Sequence, residues 1–358
     1  MRKVDIGFVE SCESWEVESR FFPSKIGGKP AWLDLKNLPE YSQIACDYCK
    51  NPCIFLCQIY APYTEEEKAF HRTLFIFICR DPNCCKANEN GNLKVFRSQL
   101  QRINEYYPPN PPEENENWRK DIQIEKWRKT CQVCGIVANS HCAKCKKTNY
   151  CCRAHQIIDW KSVHKKYCGS DENITSTDIV FPQFELVMEE ENDDDGDDDD
   201  DDNDSEKEEN EIVSNDNSEE NCLKKSTYDK LVGSLQNVDD VDLDLMNFAN
   251  NKEDTSFLKF KNRIQSNPDQ VIRYDRGGSP LYISSLNHAQ NIPKCEECNG
   301  DRQFEFQIMP QMLHHLKVED SLTSLDWGII AIFTCKRSCT PKAGYASEYI
   351  WKQDITEC

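Results

Sequence analysis

Three observations predict a mainly β protein assembled from small α+β units that metal holds together. Cysteine accounts for 21 of the 358 residues, and most of it falls in pairs spaced Cys-x2-Cys or in tight Cys/His sets. Only 38% of the chain is hydrophobic and its mean hydropathy is negative, so something polar dilutes the core. Val, Ile and Phe crowd into 55–60, 73–78, 304–309 and 328–334, and such residues suit strands.

A length near 360 accommodates about two or three domains of ordinary size. No run of about 18 apolar residues is present, and Met1-Arg2-Lys3-Val4-Asp5 lacks an apolar signal core, so neither a membrane span nor a secretory route is expected. The expected location is cytosol or nucleus. Cysteines seldom pair as disulfides in those reducing compartments, which leaves zinc as the leading reason for so many.

The first unit, expected at 1–107, places Cys46-x2-Cys49 ahead of Phe55-Leu56-Cys57-Gln58-Ile59, and a second apolar run then delivers Cys79-x4-Cys84. This is the pattern of a zinc ribbon: a knuckle supplies two thiolates, a hairpin follows, and its far turn supplies two more. Cys85 competes with Cys84 for the last position, while Cys53 and Cys57 read as small buried side chains. The cluster Pro108-Pro109-Asn110-Pro111-Pro112 cannot continue a helix or a central strand, so it closes the unit and opens a Pro/acidic linker at 108–127.

Residues 128–168 form the second unit. Cys131-x2-Cys134, Cys142-x2-Cys145, Cys151-x3-His155 and His164-x3-Cys168 supply eight ligands in a short span. Structural zinc is usually tetrahedral, so eight ligands make two closed sites with no open position for a substrate water. The Cys-x2-Cys pairs suit knuckles, and pairs four apart suit one face of a helical turn. With Tyr150 before the fifth ligand and Gln156 and Trp160 after the sixth, the array resembles the MYND zinc finger. That resemblance implies interleaved sites: Cys131, Cys134, Cys151 and His155 hold one zinc, and Cys142, Cys145, His164 and Cys168 the other. His155 stands where the common MYND pattern has cysteine, and neighbouring Cys152 is the alternative ligand. MYND modules also occur in methyltransferases, but the catalytic body those enzymes need is not visible here. No Cys/His couple stands outside a metal-spaced cluster, so an enzyme is not expected.

Charge marks the next boundary. Between Glu189 and Glu220 stand 20 acidic residues and one basic residue, Lys207, which carry almost all of the net charge of −20. Such a block repels itself and has nothing to bury, so 189–220, within a linker at 169–225, is expected to be a disordered acidic connector. The segment Arg119 to Cys168 has the opposite bias, with twelve Lys or Arg residues against three acidic ones.

The last unit, 226–358, repeats the grammar of the first. Cys295-x2-Cys298 precedes Phe304-Glu305-Phe306-Gln307-Ile308, and an apolar run delivers Cys335-x3-Cys339. In both units the Gln-Ile pair begins nine residues after the second cysteine, an internal repeat. Two zinc-ribbon-like half-domains are therefore expected to pack as one split β domain, with the finger and connector inserted. Four zinc ions are expected, two in the finger and one in each outer half. Structural zinc contributes about 10–16 kcal/mol in isolated fingers, as much as the typical stability of a whole domain at about 5–15 kcal/mol.

The pieces together resemble the programmed cell death protein 2 family of RP-8 zinc finger proteins. The resemblance rests on Phe22 to Leu33, Gln58-Ile59-Tyr60-Ala61-Pro62, Phe70-His71-Arg72, the finger, Phe181-Pro182-Gln183-Phe184-Glu185, Glu305 to Gln311, Asp326-Trp327-Gly328-Ile329 and Tyr349 to Asp354. It implies a non-catalytic, nucleocytoplasmic protein that acts in ribosome biogenesis as a dedicated chaperone for a small-subunit ribosomal protein, S-two (uS-five in universal naming). It also implies downstream roles in stem-cell and blood-cell maintenance and in cell death. A strongly basic client suits a soluble guard with negative potential. The alternative is a nuclear adaptor whose MYND finger recruits proline-motif transcriptional regulators. Direct nucleic-acid binding is not expected, because the acidic tract can cover the basic finger. Oligomeric state is not set by the sequence.

Overall fold

The structure, a computed structural model, describes residues 3–170, 179–191, 254–317 and 325–355. Of the expected acidic connector, 192–220 lies outside the described residues, as do Cys222 and Cys358. The N-terminal half supplies β1 (Asp5–Glu10), β2 (Lys25–Ile26), β3 (Ile54–Tyr60), β4 (His71–Ile78) and β5 (Leu93–Leu100). The finger carries a separate ribbon of β6 (Ser140–His141) and β7 (Asn149–Tyr150), and β8 (Phe184–Glu190) follows it. The C-terminal half adds β9 (Ile272–Tyr274), β10 (Arg302–Ile308), β11 (Ile329–Cys335), β12 (Tyr345–Ser347) and β13 (Tyr349–Gln353). Short helices complete the described elements: α1 (Tyr41–Ile44), α2 (Arg153–Asp159), α3 (Lys165–Tyr167), α4 (Thr255–Ile264) and α5 (Met312–His315).

All strands but the finger's two join one eleven-stranded sheet in the order β12-β5-β4-β3-β2-β8-β1-β9-β10-β11-β13. Neighbours run antiparallel throughout. The two ends of that order, β12 and β13, are separated in sequence by Glu348 alone, so the sheet curls into a near-closed barrel. The C-terminal β12 pairs with the N-terminal β5, setting Tyr345 opposite Ser98 and Ala346 opposite Arg97.

Every residue of β4 and of β11 is buried, which explains why these strands read as continuous apolar runs and not as alternation. Trp32 belongs to the core: it is 1% exposed and packs its ring on Phe75, Phe77 and Tyr345. The stretch expected as a linker after the finger contributes β8, which lies between β1 and β2 and aligns Phe8 with Val187 and Ile26 with Phe184. The acidic residues Glu189 and Glu190 are the end of that strand, and Glu191 accepts hydrogen bonds from Arg273 and Arg263.

Charged groups cross the barrel between the halves. Arg72 of β4 makes a two-pronged pair with Glu305 of β10, which also meets Thr334, the Tyr274 hydroxyl at 2.9 Å and Arg276 at 3.8 Å. Burial alone would push the Glu305 carboxyl up, but Arg72 and then Arg276 hold it down at about 2. Paired and hydrogen-bonded in this way, two buried charges are tolerated.

The repeat runs further than the cysteines. Gln58 accepts the Ala31 N–H at 2.9 Å and donates to the Pro23 and Ala31 carbonyls, while Gln307 accepts the Leu281 N–H at 2.6 Å and donates to the Leu281 carbonyl. Both partners follow a Gly-Gly-x-Pro turn, Gly27 to Pro30 and Gly277 to Pro280. The β3/β4 and β10/β11 hairpins also share an irregularity, at Leu56 and at Glu305, each seven residues after the second knuckle cysteine.

Candidate metal centres

Four Cys-x2-Cys turns fold alike. In each, the residue after the second cysteine, Lys50, Gly135, Lys146 or Asn299, has positive φ, and its N–H donates to the carbonyl of the first cysteine at 2.8–3.0 Å. Cys46, Cys131 and Cys295 in turn donate their N–H groups to Asn51, Ile136 and Gly300 at 2.7–2.8 Å. This tight reversal points both thiols of a pair the same way. Glycine and asparagine adopt positive φ readily, whereas lysine does so at a cost.

The turns at the far ends of the hairpins complete two sites. Cys46, Cys49, Cys79 and Cys84 come together in the N-terminal half, and Cys295, Cys298, Cys335 and Cys339 in the C-terminal half. In the finger, Cys131, Cys134, Cys151 and His155 form one cluster and Cys142, Cys145, His164 and Cys168 the other, the interleaved arrangement expected. All ligand atoms in a cluster lie within 4.8 Å of one another. Helical spacing supplies less than expected, since Cys151 precedes α2. Cys152 is the N-cap of that helix, its sulfur accepting the His155 N–H at 3.5 Å. A π turn, Trp160–His164, then carries His164 around before α3 ends at Cys168.

The donor geometry fits zinc. Tetrahedral bonds of about 2.3 Å set sulfurs about 3.8 Å apart. Here the Cys49–Cys79, Cys134–Cys151, Cys295–Cys339 and Cys298–Cys335 sulfurs stand 3.6 Å apart and Cys142–Cys168 3.9 Å. A disulfide would need about 2.05 Å. Burial pushes the Cys298 thiol up, but the Gly300 N–H, Cys335, Cys339 and Arg337 outweigh it and bring it to about 6. Cys145 is likewise raised by burial and then lowered to about 6 by the Thr148 and Lys147 N–H groups and the Thr148 hydroxyl. At Cys295 and Cys339, in the same cluster as Cys298, burial wins and the thiols stay raised, so metal binding itself must draw those protons off, since thiolate is the form that binds metal. Four clusters capable of holding Zn2+ are thus present, two in the finger and one in each half.

Three neighbouring cysteines stand outside the clusters. Cys85 turns its sulfur to the Asp326 carbonyl at 3.3 Å and to Lys352, leaving Cys84 in the cluster. Cys57 is fully buried, and Cys53 is buried with its thiol against the Asn92 carbonyl. His141 is exposed, away from the ligand atoms of the clusters.

The finger sits against the barrel. The Trp32 indole donates to the Gly135 carbonyl at 2.9 Å, and Arg128 pairs with Glu40 at 2.8 Å. A Cβ on Gly135 would meet the Lys29 Cβ at 2.9 Å. Sequence reasoning missed these contacts, and it missed Arg97, Arg302 and Glu348 beside the C-terminal cluster, because nothing in cysteine spacing reports which distant side chain packs behind a thiol. Among the described residues no helix is long and apolar enough to cross a membrane.

Comparison with known proteins agrees with this layout. Residues 3–114 match the model of the programmed cell death protein 2 N-terminal domain, 254–354 that of its C-terminal putative domain, and 131–168 the MYND finger. Programmed cell death protein 2 of Rattus norvegicus is 40% identical over 363 residues, covering 99% of this chain and 97% of the relative. The chain belongs to the programmed cell death protein 2 family. Programmed cell death protein 2-like of Homo sapiens is 26% identical, covering 89% of this chain and 86% of the relative. Probable 20S rRNA accumulation protein 4 of Schizosaccharomyces pombe is 23% identical over 96% of each chain. No solved structure matches. With membership of the programmed cell death protein 2 family goes the non-catalytic, zinc-binding character expected above.

Proposed function

We propose that this protein acts in ribosome biogenesis as a dedicated escort for a basic small-subunit ribosomal protein, S-two, present in both cytoplasm and nucleus. The sixteen clustered residues are its zinc ligands, and its two zinc-ribbon-like halves work as one split β domain. The observation that carries this reading is the end-to-end similarity, over 96% of each chain, to a relative named for accumulation of 20S rRNA. Charge supports the kind of client: residues 189–220 hold nearly all of the net −20, as a guard for a basic protein should.

The test is affinity capture with the full chain from cell lysate, followed by identification of bound proteins and by titration with purified S-two. One dominant ribosomal protein of the small subunit is expected. A set of proline-motif regulators in its place would favour the adaptor reading, and binding of structured RNA in a gel shift would favour direct nucleic-acid recognition. Deleting 192–220, which spares β8 and Glu191, should leave the fold intact and weaken capture at low salt more than at high salt. Identical affinities at low salt would remove the tract from the account.

A further inference from the structure

The C-terminal metal cluster and the seam that closes the barrel share one buried charge network. Arg97, in β5 of the N-terminal half, is fully buried. Its guanidinium donates to the Cys339 sulfur at 3.7 Å and to the Cys339 carbonyl at 2.8 Å, and pairs with Glu348 at 2.6 Å. Glu348 is the single residue between β12 and β13, and its carboxylate also accepts the Cys335 N–H at 3.1 Å. Arg302 completes the set. It pairs with Glu348 at 2.9 Å and donates to Ser347 of β12 and to the Pro293 and Lys294 carbonyls just ahead of Cys295. Three of the four cysteines are therefore held, directly or through an adjoining residue, by groups that also hold β12 against β5.

We infer that Arg97 is a positioning residue of the C-terminal metal site, supplied across the seam, so that metal occupancy there and closure of the barrel stabilise each other. Four thiolates around Zn2+ leave two excess negative charges in a buried place, and an arginine hydrogen-bonded to one sulfur offsets them. Loss of the metal would leave Arg97 and Glu348 without the fixed turn Cys335 to Cys339 that both of them bind. The seam is short, three residue pairs from Tyr345↔Ser98 to Ser347↔Phe96, and so depends on that support. It rests on the proposed role of the clustered cysteines as metal ligands and does not depend on the identity of any client.

The experiment uses the full chain loaded with cadmium and observed by 113Cd NMR. Four resonances are expected, two of the all-thiolate kind and two with a nitrogen ligand. Arg97→Met should move one all-thiolate resonance and leave the other three in place. In the zinc-loaded form it should raise the rate at which a chelator removes one of the four ions by about ten-fold or more, with Arg97→Lys intermediate. A general loss of stability would instead disturb all four sites alike, and that result, or four unchanged resonances, would overturn the inference. Cys339→Ser tests the linkage in reverse, whether or not Arg97→Met folds. Hydrogen exchange at 96–98 and 345–347 should accelerate by about ten-fold while β1 and β8 keep their protection; unchanged exchange at the seam would also overturn it.

Discussion

At the scale of single residues, neighbours with the same chemistry are separated by where the backbone points them. Cys84 lies in the N-terminal cluster and Cys85 faces the Asp326 carbonyl, so Cys84→Ser should lower metal content by one ion per chain and Cys85→Ser should not. Metal analysis of the two purified variants checks this, and equal losses would contradict it. Lys25 provides a second case. It is 2% exposed, its amine donating to the Lys29 carbonyl at 3.0 Å and to Gln183 at 2.7 Å, and burial lowers it to about 7. The unfolded chain would hold that proton up to about 10.4. Between these values the unfolded state binds more protons, so this group's contribution to stability rises with pH through the window. Denaturation of the wild type and of Lys25→Met at about pH 7 and about pH 10 should show the wild type gaining on the variant as pH rises; a constant difference would refute it.

At the scale of elements, the finger is fixed to the barrel by a knuckle that tolerates no side chain. Gly135 has φ +74°, and a Cβ there would meet Lys29 and Pro30 while Trp32 holds its carbonyl. Gly135→Ala should cost about 1–3 kcal/mol and raise hydrogen exchange in 131–137, with both finger metals retained. Urea denaturation and exchange measurements decide it, and an unchanged variant would mean that the contact is incidental. Much of this level was legible in the sequence. The knuckles and the strands β3, β4, β10 and β11 follow from local spacing and from apolar runs buried on both faces, and the interleaved pairing in the finger is what its resemblance to the MYND pattern implies. The strands β1, β5, β8 and β12 were not, because they carry charged or small residues such as Glu185, Arg97 and Ser347, and only their partners across the sheet make them strands. Glu189 and Glu190, the C-terminal end of β8, look in sequence like the start of the acidic tract for the same reason.

At the scale of the whole molecule, two cysteine-bearing halves more than a hundred residues apart contribute to one sheet and are pinned through its interior. Arg72 and Glu305, both essentially without solvent exposure, make the clearest link between them. Arg72→Met or Glu305→Leu alone should destabilise by about 3–5 kcal/mol, and the two together should cost less than the sum. A denaturant-based double-mutant cycle measures the coupling; additive effects would deny that the pair joins the halves.

Metal, distributed over four clusters, is expected to hold the cysteine turns of this barrel and its finger in place around one shared apolar core. Metal content of the freshly purified full chain, followed by chelation while tertiary structure is monitored by near-ultraviolet circular dichroism, tests it most directly. About four zinc ions per chain are expected, with the tertiary signal lost as they are withdrawn. Content near two, or a signal that survives their removal, would contradict it.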